Sequence, residues 1–505
     1  MRTVLLLLLC LFMWFKKSVA QPTLNTSDIF YEIFVRSFYD SNGDGIGDLN
    51  GITKKLDYLA ELGITGIWIT PVNPSPSYHK YDVTNYYDID PEYGTLSDFK
   101  NFIIQAHRRN IKVVMDLVLN HTSVKHPWFL ASGKNDPLYK DYYIWSSDTG
   151  ITSKPNWFIA PQDSPILGTK QEKYFGFFSR GMPDLNFDNP KVRDELIKVG
   201  EWWLTNTGID GFRLDAAQHI YESEKPAKNN EWWLQFTDSL KKIKPDVITI
   251  GEIWNRKSLV ATYLKPLTGA FNFECSWNIL RSLIMEKNDS LIENLLETYK
   301  IYSKYSNTYM DPVFLSNHDN NRVQSDLKDN IEKAKLAAAI YLTLPGTPFI
   351  YYGEELGMRG RKPDELIREP FLWDDQNQDP GETAWETPVY SIPDNVKPLT
   401  SQRDDASSMY NHYKKLLDLR KKINALSSSS LKNITTDSAK FLIYYRGQNK
   451  DQVIIIHNLS SSVLTLSLSE LSHYPLLLYQ SKQIKNKSSA RLTLFPYSTV
   501  ILGQK

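Results

Sequence analysis

Through the middle of the chain, short apolar runs alternate with longer stretches in which apolar residues recur every third or fourth position. The short runs are Phe30–Val35, Gly66–Val72, Lys112–Leu119, Gly211–Asp215, Val247–Ile253, Ala270–Phe273, Pro312–Ser316 and Pro348–Tyr352, and their brevity predicts strands. Ser97–Arg109, Pro190–Leu204 and Ile331–Leu342 carry the spacing of helices with one buried face. Near-continuous apolar strands belong in a parallel sheet covered on both faces. Eight of them alternating with helices predict an α/β fold, a closed parallel (β/α)8 TIM barrel.

Two regions depart from that rhythm. About 70 residues, Asn120 to Asn189, separate the third strand from the next helix, a length that is normally functional. They predict a small inserted domain beside the barrel mouth, residues 121–188, between barrel parts 21–120 and 189–426. After the helical stretch Tyr410–Ile423 the pattern turns to alternation, and serines 427–430 read as a linker. Phe441–Tyr445, Val453–His457, Val463–Leu468 and Arg491–Leu494 then predict strands of an antiparallel β-sandwich over residues 431–505. At the other end, Arg2, the apolar run Val4–Phe15 and Ser18-Val19-Ala20 have the layout of a signal peptide, residues 1–20. The chain is therefore expected to be secreted, extracellular or periplasmic; Lys16 and Lys17 leave an uncleaved anchor as the alternative.

Composition narrows the partners. Lys plus Arg and Asp plus Glu are equal at 58 each, so no charge footprint calls for nucleic acid or an anionic membrane. Without the leader Cys275 is the only cysteine, which excludes an internal disulfide. A monomer is expected.

In a barrel of this kind the chemistry lies at the C-terminal ends of the strands. There stand Asp116 with Asn120-His121 after strand three, Arg213-Leu-Asp215 on strand four, Glu252 on strand five and His318-Asp319 after strand seven. Three carboxylates converging on one pocket are what glycosidic cleavage requires: an acid at the leaving oxygen and a carboxylate below the anomeric carbon. The third would orient hydroxyls and help keep Glu252 protonated, and Arg213 is expected to pair with Asp215 and keep it ionised.

These four segments, in this order, resemble the signature regions of the α-amylase family of glycoside hydrolases, and the resemblance covers essentially the whole mature chain. It implies Asp215 as nucleophile, Glu252 as general acid/base and Asp319 as transition-state stabiliser. It further implies that His121, His318 and Arg213 serve the cleaved-bond subsite and that Tyr81 is the platform on which the sugar stacks. His219 implies an α-amylase rather than an exo-acting α-glucosidase, although Gln218 stands where many amylases place a lysine. The resemblance therefore implies an endo-acting α-1,4-glucan hydrolase on starch, glycogen or maltodextrins. An exo-acting α-glucosidase or oligo-1,6-glucosidase is the alternative; a non-catalytic glucan-binding or transporter-associated relative is disfavoured because all three carboxylates are kept.

Asp40-Ser-Asn42-Gly-Asp44-Gly-Ile46-Gly-Asp48 places hard oxygen ligands at alternate positions, a spacing suited to Ca²⁺. It resembles the family's calcium loop after the first strand, which implies side-chain ligation by Asp40, Asn42, Asp44 and Asp48 and a carbonyl from Ile46. Asn120, Asp184 and the His219 backbone match a second calcium position between barrel and insert.

Overall fold

The computed structural model describes residues 23–24, 26–148, 151, 154–160, 166, 173–221, 225–374 and 379–504; the expected signal peptide lies outside them. Eight parallel strands form the barrel: β1 (Phe30–Ile33), β2 (Gly66–Ile69), β3 (Lys112–Leu117), β4 (Gly211–Leu214), β5 (Ile248–Gly251), β6 (Gly269–Ala270), β7 (Pro312–Val313) and β8 (Thr347–Tyr351). Their order is β6-β5-β4-β3-β2-β1-β8-β7. The ring closes between β6 and β7 through a parallel bridge from Gly269 to Met310 and a 3.0 Å bond from Asn272 N to Pro312 O. Its interior is packed with Phe30, Trp68, Val114, Ile250, Phe271 and Phe349. Phe30 and Phe349 stack at 4.7 Å, and a Cβ on Gly66 would stand 2.5 Å from the Phe30 ring, so β2 must begin with glycine.

The outer layer includes α1 (Leu96–His107), α2 (Pro190–Thr207), α3 (Pro226–Ile243), α4 (Phe273–Ile284), α5 (Leu291–Tyr302), α6 (Ile331–Thr343) and α7 (Met409–Lys422). Local chemistry sets their ends. Thr95 and Asp98 form a reciprocal capping box on α1, and α2 starts with Asn189-Pro190 and stops at Gly208 in the left-handed region (φ 77°).

Several expected strands are shorter. The first ends at Ile33, and Val35–Phe38 makes a helical turn instead. The sixth ends at Ala270: the Asn272 side chain accepts from Cys275 N at 3.0 Å and starts α4 at Phe273. Both misreadings have one cause, since an apolar run marks burial and not backbone type.

Between β3 and α2 lie the helix Pro127–Gly133 and short antiparallel strands Trp145–Ser146, Trp157–Phe158 and Lys173–Phe175. The start and end of this insert clamp each other, by a bridge from His121 to Asp184 and by Leu185 N on Asn120 O at 3.0 Å.

The C-terminal region forms a five-stranded and a three-stranded antiparallel sheet around Phe441, Ile454, Leu466, Leu492 and Leu502. Leu431–Asn433, Leu476–Gln480, Asn486–Lys487 and Ser498–Gly503 are strands additional to the four expected. The serine stretch is no loose tether. Arg446 donates to the carbonyls of Ser428 and Ser430 and to that of Thr343 at the end of α6, where Arg420 also donates to Leu342 and Leu344. Two buried arginines thus satisfy carbonyls that a helix end leaves open.

Candidate active site

Arg213, on β4, is 1% exposed and organises the floor of the site. Its Nη1 lies 2.8 Å from both Asp116 Oδ1 and Asp215 Oδ1, and its Nη2 lies 2.9 Å from Glu252 Oε2. A buried guanidinium needs such partners. Asp215 follows β4 directly, and the next residue, Ala216, adopts φ 49°, a strained turn that aims its N–H at Glu252 Oε2 (3.1 Å). The other Glu252 oxygen accepts from Trp254 Nε1 at 2.9 Å.

Arg213 pairs with Asp215 as expected and pulls its carboxyl towards the ionised form, against burial. Burial is the largest influence and pushes the Asp215 carboxyl well up; Arg213 pulls it down, while Glu252, Asp116 and Asp319 add to the rise. One guanidinium divided among three carboxylates does not offset the desolvation of Asp215.

Asp319 has the opposite environment. His318 Nε2 lies 3.1 Å from its Oδ2, and Arg368 Nη2 lies 3.1 Å from its Oδ1. Burial alone would raise this carboxyl, but the two cations hold it far below the usual carboxylate range. His318 is in turn gripped by Glu32, at 2.6 Å from its Nδ1. Burial pulls the imidazole down, yet Asp319 and Glu32 outweigh it and hold it up at about 10.

These groups surround a cavity of about 640 Å³ whose lining includes Tyr81, His121, Asp215, His219, Glu252 and Asp319. Arg213 and His318, expected beside the sugar, lie beneath this lining instead. His318 Nε2 already meets Asp319 and the Tyr81 hydroxyl (2.6 Å), so its part is to support those two. The Tyr81 ring stacks on His318 at 5.5 Å, and its hydroxyl donates to Asp116 at 2.9 Å, which fixes the expected platform. His121 is lowered to about 4 by burial, and its Nε2 has no protein partner. The His219 ring stacks on Phe177 at 4.1 Å, with Gln218 Nε2 3.0 Å from its Nε2.

Glu32, Arg368 and Phe178 are functional candidates outside the strand-end motifs, and Asp116 and Trp254 stand within them without a role that the motif implies. Asp116 had a signal, since it stands on β3 beside Arg213 in register. Arg368 had none: it caps the one-turn helix Asp364–Ile367 in the loop after β8, outside any strand end.

The proposed calcium ligands form two groups. In the loop after β1, Asp40 accepts from the N–H groups of Asn42, Gly43 and Gly45, Asp44 from Ile46 N, and Asp48 from Ser41 N and Gly51 N. Among the described residues no three His, Cys, Asp or Glu side chains form a ready cage. The donor chemistry nevertheless fits, because every ligand atom is a hard oxygen and carboxylate oxygens retain a second lone pair. At the insert, Asn120 Oδ1 is buried without a partner, and burial raises Asp184 to about 7. A hard cation would partner the orphaned oxygen and relieve the burial penalty on the Asp184 carboxylate, so the pair fits one.

Residues 32–429 match the family model "Alpha amylase, catalytic domain", and 442–501 match "Alpha-amylase SusG C-terminal domain". The chain is 46% identical over 478 residues to Alpha-amylase 3 of Dictyoglomus thermophilum, covering 94% of this chain and 92% of that one. It is 34% identical over 451 residues to 4-alpha-glucanotransferase of Thermotoga maritima, covering 88% and 99%. The crystal structure of alpha-amylase from H. orenii superposes with a TM-score of 0.84 at 37% identity, covering 95% of this chain and 100% of that one. Barrel, strand-end carboxylates and sequence kinship coincide, and the chain belongs to the α-amylase family of glycoside hydrolases.

Proposed function

We propose that this enzyme cleaves internal α-1,4-glucosidic bonds of starch, glycogen or maltodextrins with retention of configuration. The observation that carries the reading is Arg213 touching Asp215 and Glu252 at 2.8 and 2.9 Å with its two terminal nitrogens. Carboxylates that share one guanidinium are near neighbours, the arrangement a retaining mechanism with a carboxylate nucleophile calls for. The kinship to a protein named Alpha-amylase 3 supports the endo-acting form.

In this reading Asp215 attacks the anomeric carbon while Glu252 protonates the leaving oxygen. Glu252 then takes a proton from water, which attacks the same carbon and releases Asp215. Burial penalises the Asp215 carboxylate in the free enzyme. Positive charge developing on the sugar relieves that penalty only in the transition state, so the relief lowers the barrier. Asp319, held ionised, adds to the same field. Tyr81 supplies the stacking face, and His121 Nε2 a hydrogen-bonding group for a sugar hydroxyl.

Ca²⁺ on Asp40, Asn42, Asp44, Asp48 and the Ile46 carbonyl, and on Asn120, Asp184 and the His219 carbonyl, would supply structural cross-links and no chemistry at the bond. The N-terminal leader supports secretion.

A time course on soluble starch tests the reading. Iodine staining should collapse ahead of reducing-sugar release, with maltose and maltotriose dominating late. Glucose as the sole early product, with maltose cleaved as readily as maltohexaose, would replace it with an exo-acting α-glucosidase.

A further inference from the structure

Beside the catalytic cavity lies a second hollow of about 220 Å³. One wall is α4, through Ser276, Trp277 and Leu280; the other is the segment leaving β7, through Phe314, Asn320 and Asn321. Asp319 and Lys362 line both hollows, so the two meet at the rim of the catalytic site.

The aromatic residues here are unusual for this chain. Among the described tryptophans only Trp254 and Trp277 are exposed, at 38% and 50%. Their ring centroids are 6.5 Å apart, and both pack on buried Phe273, at 4.4 and 6.1 Å. Trp254 is tied to Glu252 by its indole N–H, so the pair is anchored to the cleavage point. Rigid indole faces left in water at the mouth of a sugar cavity are surfaces for a ligand to cover. Pyranose rings fit them, with C–H groups for the aromatic face and hydroxyls for the polar wall. That wall is preformed: Asn321 accepts from Lys362 N at 3.0 Å and donates to Asp326 at 3.1 Å.

In the proposed reading an unbranched chain lies in the main cavity across Asp215 and Glu252. The second hollow adjoins this cavity across Asp319 and Lys362. We infer that it binds an α-1,6-linked glucosyl branch of the glucan, with Trp277 as the stacking platform. The inference rests on the proposed α-glucan reading of the main cavity.

The test compares linear maltohexaose with a maltohexaose carrying one α-1,6-glucosyl branch. Trp277→Ala should lower kcat/KM about tenfold on the branched chain and by less than twofold on the linear one. Trp277→Phe should restore most of the loss. Equal losses on both substrates, or no loss on the branched one, would overturn the inference. A parallel titration of Asp215→Asn enzyme with the same two oligosaccharides separates the two readings. If the wild-type enzyme cleaves neither chain, the proposed function fails; the branch site stands only if Trp277→Ala in that background weakens binding of the branched chain alone.

Discussion

Oε1 of Glu32, on the first barrel strand, lies 2.6 Å from Nδ1 of His318 beyond the seventh, and the same oxygen accepts from the His318 backbone N–H at 3.2 Å. Both side chains are buried, and the pair holds the Asp319 turn and the Tyr81 ring from below. Tyr81, Asp319, Asp116 and Arg368 face His318 from the other elements around it.

This pairing sets a pH dependence. The folded His318 value, about 10, stands above the unfolded value of about 6.5. Its contribution to stability is therefore complete below pH 6.5 or so and is lost as pH rises towards 10. Glu32→Gln removes one carboxylate and should move that loss, and the alkaline limb of kcat/KM, to lower pH. Melting temperatures and rates collected between pH 6 and 10 check this; superimposable profiles for variant and wild type would refute the pairing's role.

Asp215→Asn should reduce hydrolysis by on the order of 10⁴-fold while glucan binding and the fold persist. Activity within about tenfold of wild type would remove Asp215 from the nucleophile's place.

Glu252→Gln should be costly for natural glucans and milder for aryl glucosides whose leaving group needs no proton. Steady-state rates on both substrate kinds decide it, and equal losses would show that Glu252 is not the acid.

Chelation should lower the melting temperature by several degrees, reversed by calcium, because a ligand at about 100-fold its Kd stabilises by about 2.7 kcal/mol. Asn120→Ala should remove only the part due to the site at the insert. A melting curve unmoved by chelation and by added calcium would exclude both sites.

Arg446→Met leaves the Thr343, Leu426, Ser428 and Ser430 carbonyls without their shared donor. Each such charge-assisted bond is worth about 1.5–3 kcal/mol. Calorimetry should show a lowered transition, with the C-terminal sheets melting ahead of the barrel. A single unshifted transition would show that the sheets are held by other contacts.

Periodicity along the chain carried the eight strands, the helices between them and hence the barrel, because burial of one face imposes a local repeat. It also placed Asp215, Glu252 and Asp319 at strand ends, where a barrel gathers chemistry. What it could not carry is whatever depends on closure. Glu32 and His318 are 286 positions apart and become neighbours only when the first and seventh strands stand in one ring. Arg368 reaches Asp319 from the end of the one-turn helix Asp364–Ile367, which is too short to show a repeat. Phe273 looks like strand and begins a helix, since Asn272 caps it there. The division of Arg213 among three carboxylates likewise exists only in three dimensions. Side-chain order along the chain determined which groups arrive at the mouth of the barrel; the distances between them, and so the charge each one carries, were decided by the fold.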